Sequence, residues 1–102
     1  MNKNGESELI LIVDDHPKNL QLLGFILEET YRTAAVKNGR KALEFVERRR
    51  PDLVLLDIMM PGMSGYEVCK KIRRTYSAAE LPIIMLTAKD TAEDLMEGFN
   101  AG

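Results

Sequence analysis

The sequence predicts an α/β fold in which a parallel β-sheet is covered by helices on both faces. Segments typical of strands and of helices alternate along the chain, which is the pattern of βαβ units. Three strand segments, LILIV, LVLL and IIML, are aliphatic runs without alternation, as expected for strands buried on both faces. The length of 102 residues suits one domain with a single core.

The first third of the chain supplies two strands and a helix. Its polar start predicts a disordered leader over residues 1–8, ahead of a domain over residues 9–102. LILIV is the first strand. Proline at the first helical position predicts a helix from residue 17 to about 29, with apolar positions Leu20, Leu23, Ile26 and Leu27. A weaker strand signal over residues 31–36 suits a sheet edge.

The second helix follows a turn at Asn38 and Gly39, and it ends in an arginine run. Ala42, Leu43 and Val46 give this helix its apolar positions. The run Arg48, Arg49 and Arg50 is most simply explained as a solvated complement to the helix C-terminus.

The third helix follows the strand LVLL, Asp57 and a loop. Ser64 and Glu67 fit a capping box at its start. The helix then carries Val68, Cys69 and Ile72 toward the core and a basic group toward solvent, namely Lys70, Lys71, Arg73 and Arg74. A single cysteine excludes an internal disulfide and fits a reducing compartment.

The last strand, Ile83–Leu86, begins after Pro82 and ends at Thr87 and Ala88. Asp90 and Glu93 fit a second capping box, which predicts a final helix with Leu95, Met96 and Phe99 facing the core.

Composition excludes several classes of function. The net charge of −2 and the lack of a dominant basic face argue against direct nucleic-acid binding. No stretch is apolar enough to span a membrane or to act as a signal peptide. We therefore expect a soluble, cytoplasmic protein.

Polar residues follow three of the predicted strands, at the point where each strand ends. Asp14 and Asp15 follow the first strand, Asp57 the third and Thr87 the fourth. Because ligands of such sheets bind beyond the carboxyl ends of the strands, we expect these residues to converge.

Three converging carboxylates need a cation, since like charges at close range raise at least one pKa. An oxygen-only ligand set suits Mg²⁺ or Mn²⁺, and Mg²⁺ in proteins commonly binds a phosphoryl group as well. Asp57 precedes a loop of small and turn-forming residues, which allows close approach, and a carboxylate can act as the nucleophile in phosphoryl transfer. The pattern predicts that Asp57 accepts phosphate.

Each residue alone has a simpler explanation. Asp57 is explained by a turn or helix cap, the acidic pair by an N-terminal cap, and Thr87 by a cap of the last helix. A lone histidine at a helix start, such as His16, is more often a surface residue, and we leave it out of the mechanism. Suitable polar residues follow three strands at once, and this coincidence favours a shared site over the separate explanations.

The motifs ILIVDD, LVLLDIMMPGMSGYE and PIIMLTA together resemble the receiver domain of two-component response regulators. This resemblance implies a flavodoxin-like doubly wound sheet of strand order 2-1-3-4, with the fifth strand and helix of the family missing from this chain. It implies a phosphorelay in which a sensor histidine kinase or phosphotransfer protein donates phosphate to Asp57.

The resemblance also implies roles for individual residues. Asp15 and Asp57 would bind Mg²⁺ directly and Asp14 directly or through water, with the backbone carbonyl of Met59 as a further ligand. Thr87 would hydrogen-bond the phosphoryl oxygens, and Ala88 would leave room and a backbone N–H. The family's lysine on the fifth strand has no counterpart here, and Lys89 belongs to a different loop.

Without a fifth strand, Ile83–Leu86 would form an exposed sheet edge. We expect that edge to pair with a second copy, or the two copies to exchange elements. Two other functions stay open: a phosphorylation-incompetent interaction module, and a Mg²⁺-dependent phosphohydrolase. The hydrolase lacks an acid-base residue at Ile58 or Met59, so at most slow self-dephosphorylation is expected.

Overall fold

The computed structural model describes residues 8–86, which form four strands and three helices in alternation. They are β1 (Leu9–Val13), α1 (Pro17–Leu27), β2 (Arg32–Val36), α2 (Gly39–Arg48), β3 (Leu53–Asp57), α3 (Gly65–Arg73) and β4 (Ile83–Leu86). The strands are all parallel, in the order β2-β1-β3-β4. The predicted flavodoxin-like order is confirmed. Most of the predicted leader, the final helix, Thr87 and Ala88 lie outside the described residues.

Strand β1 is the centre of the molecule. It pairs with β2 on one side and with β3 on the other, and all five of its residues are buried. This confirms the prediction from its unbroken aliphatic run. Alternation along the strand sends Leu11 and Val13 to one face of the sheet, and Ile10 and Ile12 to the other.

The main core lies between the sheet and the helices α2 and α3. Leu11 and Val13 pack there with Val54 and Leu56 of β3. The helices contribute Ala42, Val46, Val68, Cys69 and Ile72, all at predicted apolar positions. The capping box of Ser64 and Glu67 is formed, which starts α3 at the predicted place.

The opposite face carries α1 and is less covered. Register places Ile12, Leu55 and Ile84 in one row across β1, β3 and β4 on this face. Ile12 is fully buried and Leu55 half-buried, but Ile84 is 51% exposed. The prediction that β4 is buried on both faces is therefore wrong for the described chain, because α1 packs over β1 and β2, away from β4.

Helix α1 itself has no fully buried residue. Leu20, Leu23 and Leu27 are half-buried, whereas Ile26 is exposed together with Leu22 and Phe25. Ile26 lies beside the half-buried leucines as expected but is not covered, since apolar residues surround much of α1 and only one side of it meets the sheet. The helix ends at Leu27, two residues before the predicted end.

Arg73 is a further correction, because its guanidinium does not lie freely in solvent. One terminal nitrogen donates to the backbone carbonyl of Leu81 at 2.7 Å, and to that of Ser77 at 3.4 Å. The arginine thus ties the end of α3 to the segment that enters β4. Lys70, Lys71 and Arg74 are exposed as predicted.

Candidate functional site

The acidic residues lie where the strand order reverses. Asp14 directly follows β1, and Asp57 is the last residue of the adjacent β3. Parallel pairing aligns the carboxyl ends of these two strands. One ligand atom from each of Asp14, Asp15, His16 and Asp57 lies within 4.8 Å of the others. The predicted convergence of the three carboxylates is present in the structure.

Asp14 is the buried member of this group, with 3% of its surface exposed. Its Oδ1 accepts a hydrogen bond from the backbone N–H of His16 at 2.9 Å, which makes a local turn. Its Oδ2 accepts from the side-chain amide of Asn19 at 3.1 Å. Both oxygens are therefore held in place before any ion binds.

Asp15 and His16 form the more open side. Nδ1 of His16 lies 3.1 Å from Oδ1 of Asp15 and 3.2 Å from Oδ1 of Asp14. The hydrogen bond to Asp14, followed by the charge of Asp15, raises the pKa of His16. Oδ1 of Asp15 is a buried atom that makes this ion-pair contact but no hydrogen bond to the described residues.

Asp57 is half-buried, and partial removal from water is the main reason why its pKa is raised. The backbone N–H of Met59 donates to its Oδ1 at 3.2 Å and partly offsets this effect. The charges of Asp14 and Asp15 raise the pKa further. A divalent cation would remove this repulsion.

Two glycines determine the backbone path of the loop after Asp57. Gly62 has a φ of 81°, a left-handed conformation that favours glycine. Gly65 lies so close to the end of β3 that a Cβ there would contact the carbonyl oxygen of Asp57 and come within 2.8 Å of the Cα of Ile58. Its N–H also donates to the Ile58 carbonyl at 3.0 Å. The start of α3 thereby fixes the backbone that carries Asp57.

A cleft of about 370 Å³ opens beside the acidic group. Asp14, His16, Asn19 and Asp57 give it a polar end, and Leu22, Leu23, Met59 and Leu86 line the rest. Asp57 is therefore accessible to a reactant from solvent.

The simpler explanations of these residues account for only part of the geometry. The N-cap of α1 is His16, not Asp14 or Asp15, and Ser64 caps α3. Oδ1 of Asp57 does accept a hydrogen bond from the backbone N–H of Met59, which forms a turn. This turn does not explain why three carboxylates lie close together. Asn19 was not predicted as a site residue; the available signal was its place in the first turn of α1, where a side chain can reach back.

The donor set fits a hard divalent ion. Three carboxylates dominate it, the pKa of Asp57 is raised, and the buried Oδ1 of Asp15 accepts no hydrogen bond from the described residues. These are features that a cation would satisfy.

The sequence model of the response regulator receiver domain family matches residues 10–102. The chain belongs to this family: it is a receiver domain of two-component response regulators, a phosphoacceptor signalling module.

Two longer proteins are similar to this chain over most of its length. The DNA-binding response regulator MtrA of Mycolicibacterium smegmatis is 44% identical over 94 residues, which is 91% of this chain and 40% of MtrA. A probable cyclic di-GMP phosphodiesterase of Vibrio cholerae is 45% identical over 93 residues, 91% of this chain and 21% of that protein. The chain thus spans well under half of these relatives.

Solved structures have the same fold. Chemotaxis protein CheY4 of Vibrio cholerae superposes with a TM-score of 0.87 at 31% identity, covering 94% of this chain and 81% of CheY4. The signal receiver domain of a histidine kinase from Syntrophus aciditrophicus gives 0.85 at 38% identity, with 94% and 74% coverage. No helix within residues 8–86 is long and apolar enough to cross a membrane.

Proposed function

We propose that Asp57 is the phosphoacceptor of this receiver domain and that its donor is the phosphohistidine of a sensor histidine kinase or phosphotransfer protein. The observation that carries this assignment is the meeting of Asp57 with Asp14 and Asp15 at the ends of two adjacent strands, beside an open cleft. A carboxylate at that point has both a route to the reactant and a place for the cation that phosphoryl transfer requires.

In the transfer, a carboxylate oxygen of Asp57 forms a bond to phosphorus while the bond from phosphorus to the donor's imidazole nitrogen breaks. The released imidazole takes a proton from solvent. Mg²⁺ would neutralise charge on the phosphoryl oxygens. Asp15, Asp57 and the Met59 carbonyl would hold Mg²⁺, and Asp14 would do so directly or through water. Asn19 positions Asp14 for this role.

Thr87 and Ala88 complete the proposed site. They follow β4 directly, and β4 pairs with β3 so that Leu86 aligns with Asp57. Thr87 would donate to a phosphoryl oxygen, and Ala88 would supply a backbone N–H. The phosphorylated carboxylate adds negative charge and acceptor oxygens, to which Thr87 would respond by moving inward and changing the surface around it.

The phosphorylated state is expected to be long-lived. Hydrolysis would need a residue beside Asp57 that positions or deprotonates water, and the two residues that follow it, Ile58 and Met59, are both apolar. The domain thus acts as a signalling module with at most slow self-dephosphorylation.

The test is incubation with Mg²⁺ and a small acyl-phosphate donor, followed by intact-mass spectrometry. The wild-type chain should gain one phosphoryl group, and Asp57→Asn should gain none. Glu47→Gln, which removes an exposed carboxylate from α2, is the matched control and should behave as wild type. Equal labelling of wild type and Asp57→Asn, or no labelling of either, would contradict the assignment.

The metal requirement has its own readout. Adding EDTA, or making Asp15→Asn, should abolish labelling while leaving the far-UV circular dichroism unchanged. Rapid continuous release of phosphate from the donor would instead indicate a phosphohydrolase.

We also infer that two copies associate through β4. Within residues 8–86 this strand pairs only with β3, and its other edge would pair with a second copy or take part in an exchange of elements.

A further inference from the structure

Half of the basic residues of the chain lie in two short segments at one end of the molecule. Residues 48–50 and 70–74 contain seven of the fourteen lysines and arginines and no acidic residue. The first segment lies at the C-terminus of α2 and the second at the C-terminus of α3, at the end of the sheet opposite to Asp57. Complementing two helix dipoles explains part of this arrangement. It does not explain the groove that lies between the two segments.

This groove, of about 460 Å³, lies between α2 and α3. The more buried of its lining residues are apolar, namely Leu43, Val46 and Ile72. Helix α3 has nine residues and is therefore about 13 Å long, and its other end lies against Asp57. The α2–α3 groove is thus separate from the acidic site.

The rim of the groove carries cations that the fold does not use. Lys71 and Arg74 line it, and both are exposed. Neither side chain makes an ion pair or a hydrogen bond within residues 8–86. Arg73, which lies between them in the sequence, differs because it donates to the carbonyl of Leu81 at 2.7 Å. Arg73 therefore supports the fold, whereas its two neighbours are free to bind a partner.

Acidic residues at this end of the sheet are mostly engaged by the backbone. Asp52 accepts a hydrogen bond from the N–H of Leu9 at 2.7 Å, and Glu80 accepts one from the N–H of Ser77 at 2.9 Å. Glu47 is the acidic residue that lines the groove. The rim therefore keeps an excess of positive charge, although the whole chain has a net charge of −2.

An aromatic ring places a third cation beside the groove. The guanidinium of Arg50 lies over the ring of Tyr76, 5.8 Å from its centroid. Tyr76 is half-buried and lines the groove. This contact uses the flat face of the guanidinium and leaves its N–H groups for a carboxylate, which an arginine can bind through two parallel hydrogen bonds.

We propose that the α2–α3 groove is a docking site for an acidic segment of a partner protein. Lys71, Arg74 and Arg50 pair with carboxylates of that segment, and the apolar residues between them take one of its apolar side chains. The exposed rim suits an extended peptide better than an enclosed small molecule. Docking at this end leaves the cleft beside Asp57 open, so the inference does not depend on the proposed function.

The test is fluorescence anisotropy of a labelled peptide of glutamates around one central leucine, titrated with the chain. We expect a Kd below about 1 mM at low salt, and binding at least about tenfold weaker when NaCl rises from about 0.05 M to about 0.5 M. The same peptide with lysines in place of glutamates should not bind. In ¹H–¹⁵N correlation spectra, the acidic peptide should shift the signals of residues 43–50 and 71–76 and leave that of Asp57 unchanged.

Variants of opposite sign test the groove itself. Lys71→Glu and Arg74→Glu should each weaken peptide binding by about fivefold or more, because an attractive charge becomes a repulsive one. Glu47→Gln removes the acidic residue of the groove and should strengthen binding by about twofold. Lys37→Glu makes the same charge change at an exposed position after β2, at the other end of the sheet, and should change binding by less than about twofold. Far-UV circular dichroism checks that each variant is folded.

The absence of acidic-peptide binding up to about 1 mM would overturn the proposal. Equal losses in Lys37→Glu and Arg74→Glu would do so as well, because they would show attraction by net charge alone. Tighter binding of sodium tripolyphosphate or of a labelled DNA duplex than of the peptide would assign the groove to another anion. Concentration-dependent shifts of residues 71–76 without peptide would assign it to a second copy of the chain. Either result would show that the docking proposal is wrong.

Discussion

At the scale of single residues, the geometry of the site depends on a few residues that other side chains could not replace. Gly65 is the clearest of them, because its missing side chain allows α3 to begin directly against the last residue of β3. Asp14 is another, since its burial is compensated by hydrogen bonds from His16 and Asn19. Gly65 thereby sets the position of the Asp57 carboxylate, and the two hydrogen bonds set that of Asp14.

Gly65→Ala should destabilise the protein by about 1–3 kcal/mol, since the new Cβ would press on the backbone of Asp57 and Ile58, which cannot rotate away. Urea unfolding followed by circular dichroism measures this. Gly24→Ala is the control: no atom lies within 4 Å of the added carbon, and alanine favours a helix, so a gain of up to about 1 kcal/mol is expected. Equal stability of the two variants would contradict the close contact at Gly65.

Cys69 should be unreactive in the native protein. Its side chain is fully buried, and desolvation raises the pKa of its thiol, so little of the reactive thiolate forms at neutral pH. Ellman's reagent should label it far more slowly in buffer than in concentrated urea. A native rate equal to the rate in urea would show that the α3 face is open.

At the scale of elements, α3 connects the site to the opposite end of the sheet. Its start lies against Asp57, and its last residue, Arg73, binds the segment that leads into β4. The same helix buries Val68, Cys69 and Ile72 in the main core. Changes at one end of α3 are therefore expected to affect the strand that precedes Thr87.

Arg73→Ala should cost about 1–2 kcal/mol in unfolding free energy, because the carbonyl of Leu81 loses its charged donor. Chemical denaturation gives the value, and faster amide exchange in residues 77–81 should accompany it. Lys70→Ala, from the exposed side of the same helix, should stay within about 0.5 kcal/mol of wild type. If both variants behave alike, the arginine contact contributes nothing.

At the scale of the whole molecule, the two faces of the sheet differ. The face under α2 and α3 is a closed core, whereas the face under α1 leaves Leu22, Phe25, Ile26 and Ile84 exposed. Within residues 8–86, the outer edge of β4 pairs with no other strand, and it adjoins that second face. The proposed association through β4 would bury this apolar surface.

We expect sedimentation velocity to show self-association that increases with concentration. Ile84→Lys should weaken it, because it places a charge on the exposed side chain of the edge strand. Gln21→Lys adds the same charge at another exposed position of the chain and should have a smaller effect. A monomer at every concentration would contradict association through β4.

The sequence by itself determined the order of elements, the parallel sheet and the three carboxylates at the strand ends. Aliphatic runs and capping residues are local signals, and parallel strands must place their carboxyl ends at one edge. These features therefore followed without knowledge of packing.

Only the tertiary structure decided which apolar residues were covered and which polar side chains met. Ile26 and Ile84 are aliphatic, as core residues are, but both are exposed because α1 covers only part of the sheet. In the sequence, Arg73 cannot be told from the solvated basic residues around it. In the folded chain, the loop before β4 brings the Leu81 carbonyl within hydrogen-bonding distance of its guanidinium. His16 and Asn19 joined the site because the turn after β1 directs them back to Asp14, and such contacts depend on the path of the backbone rather than on residue type.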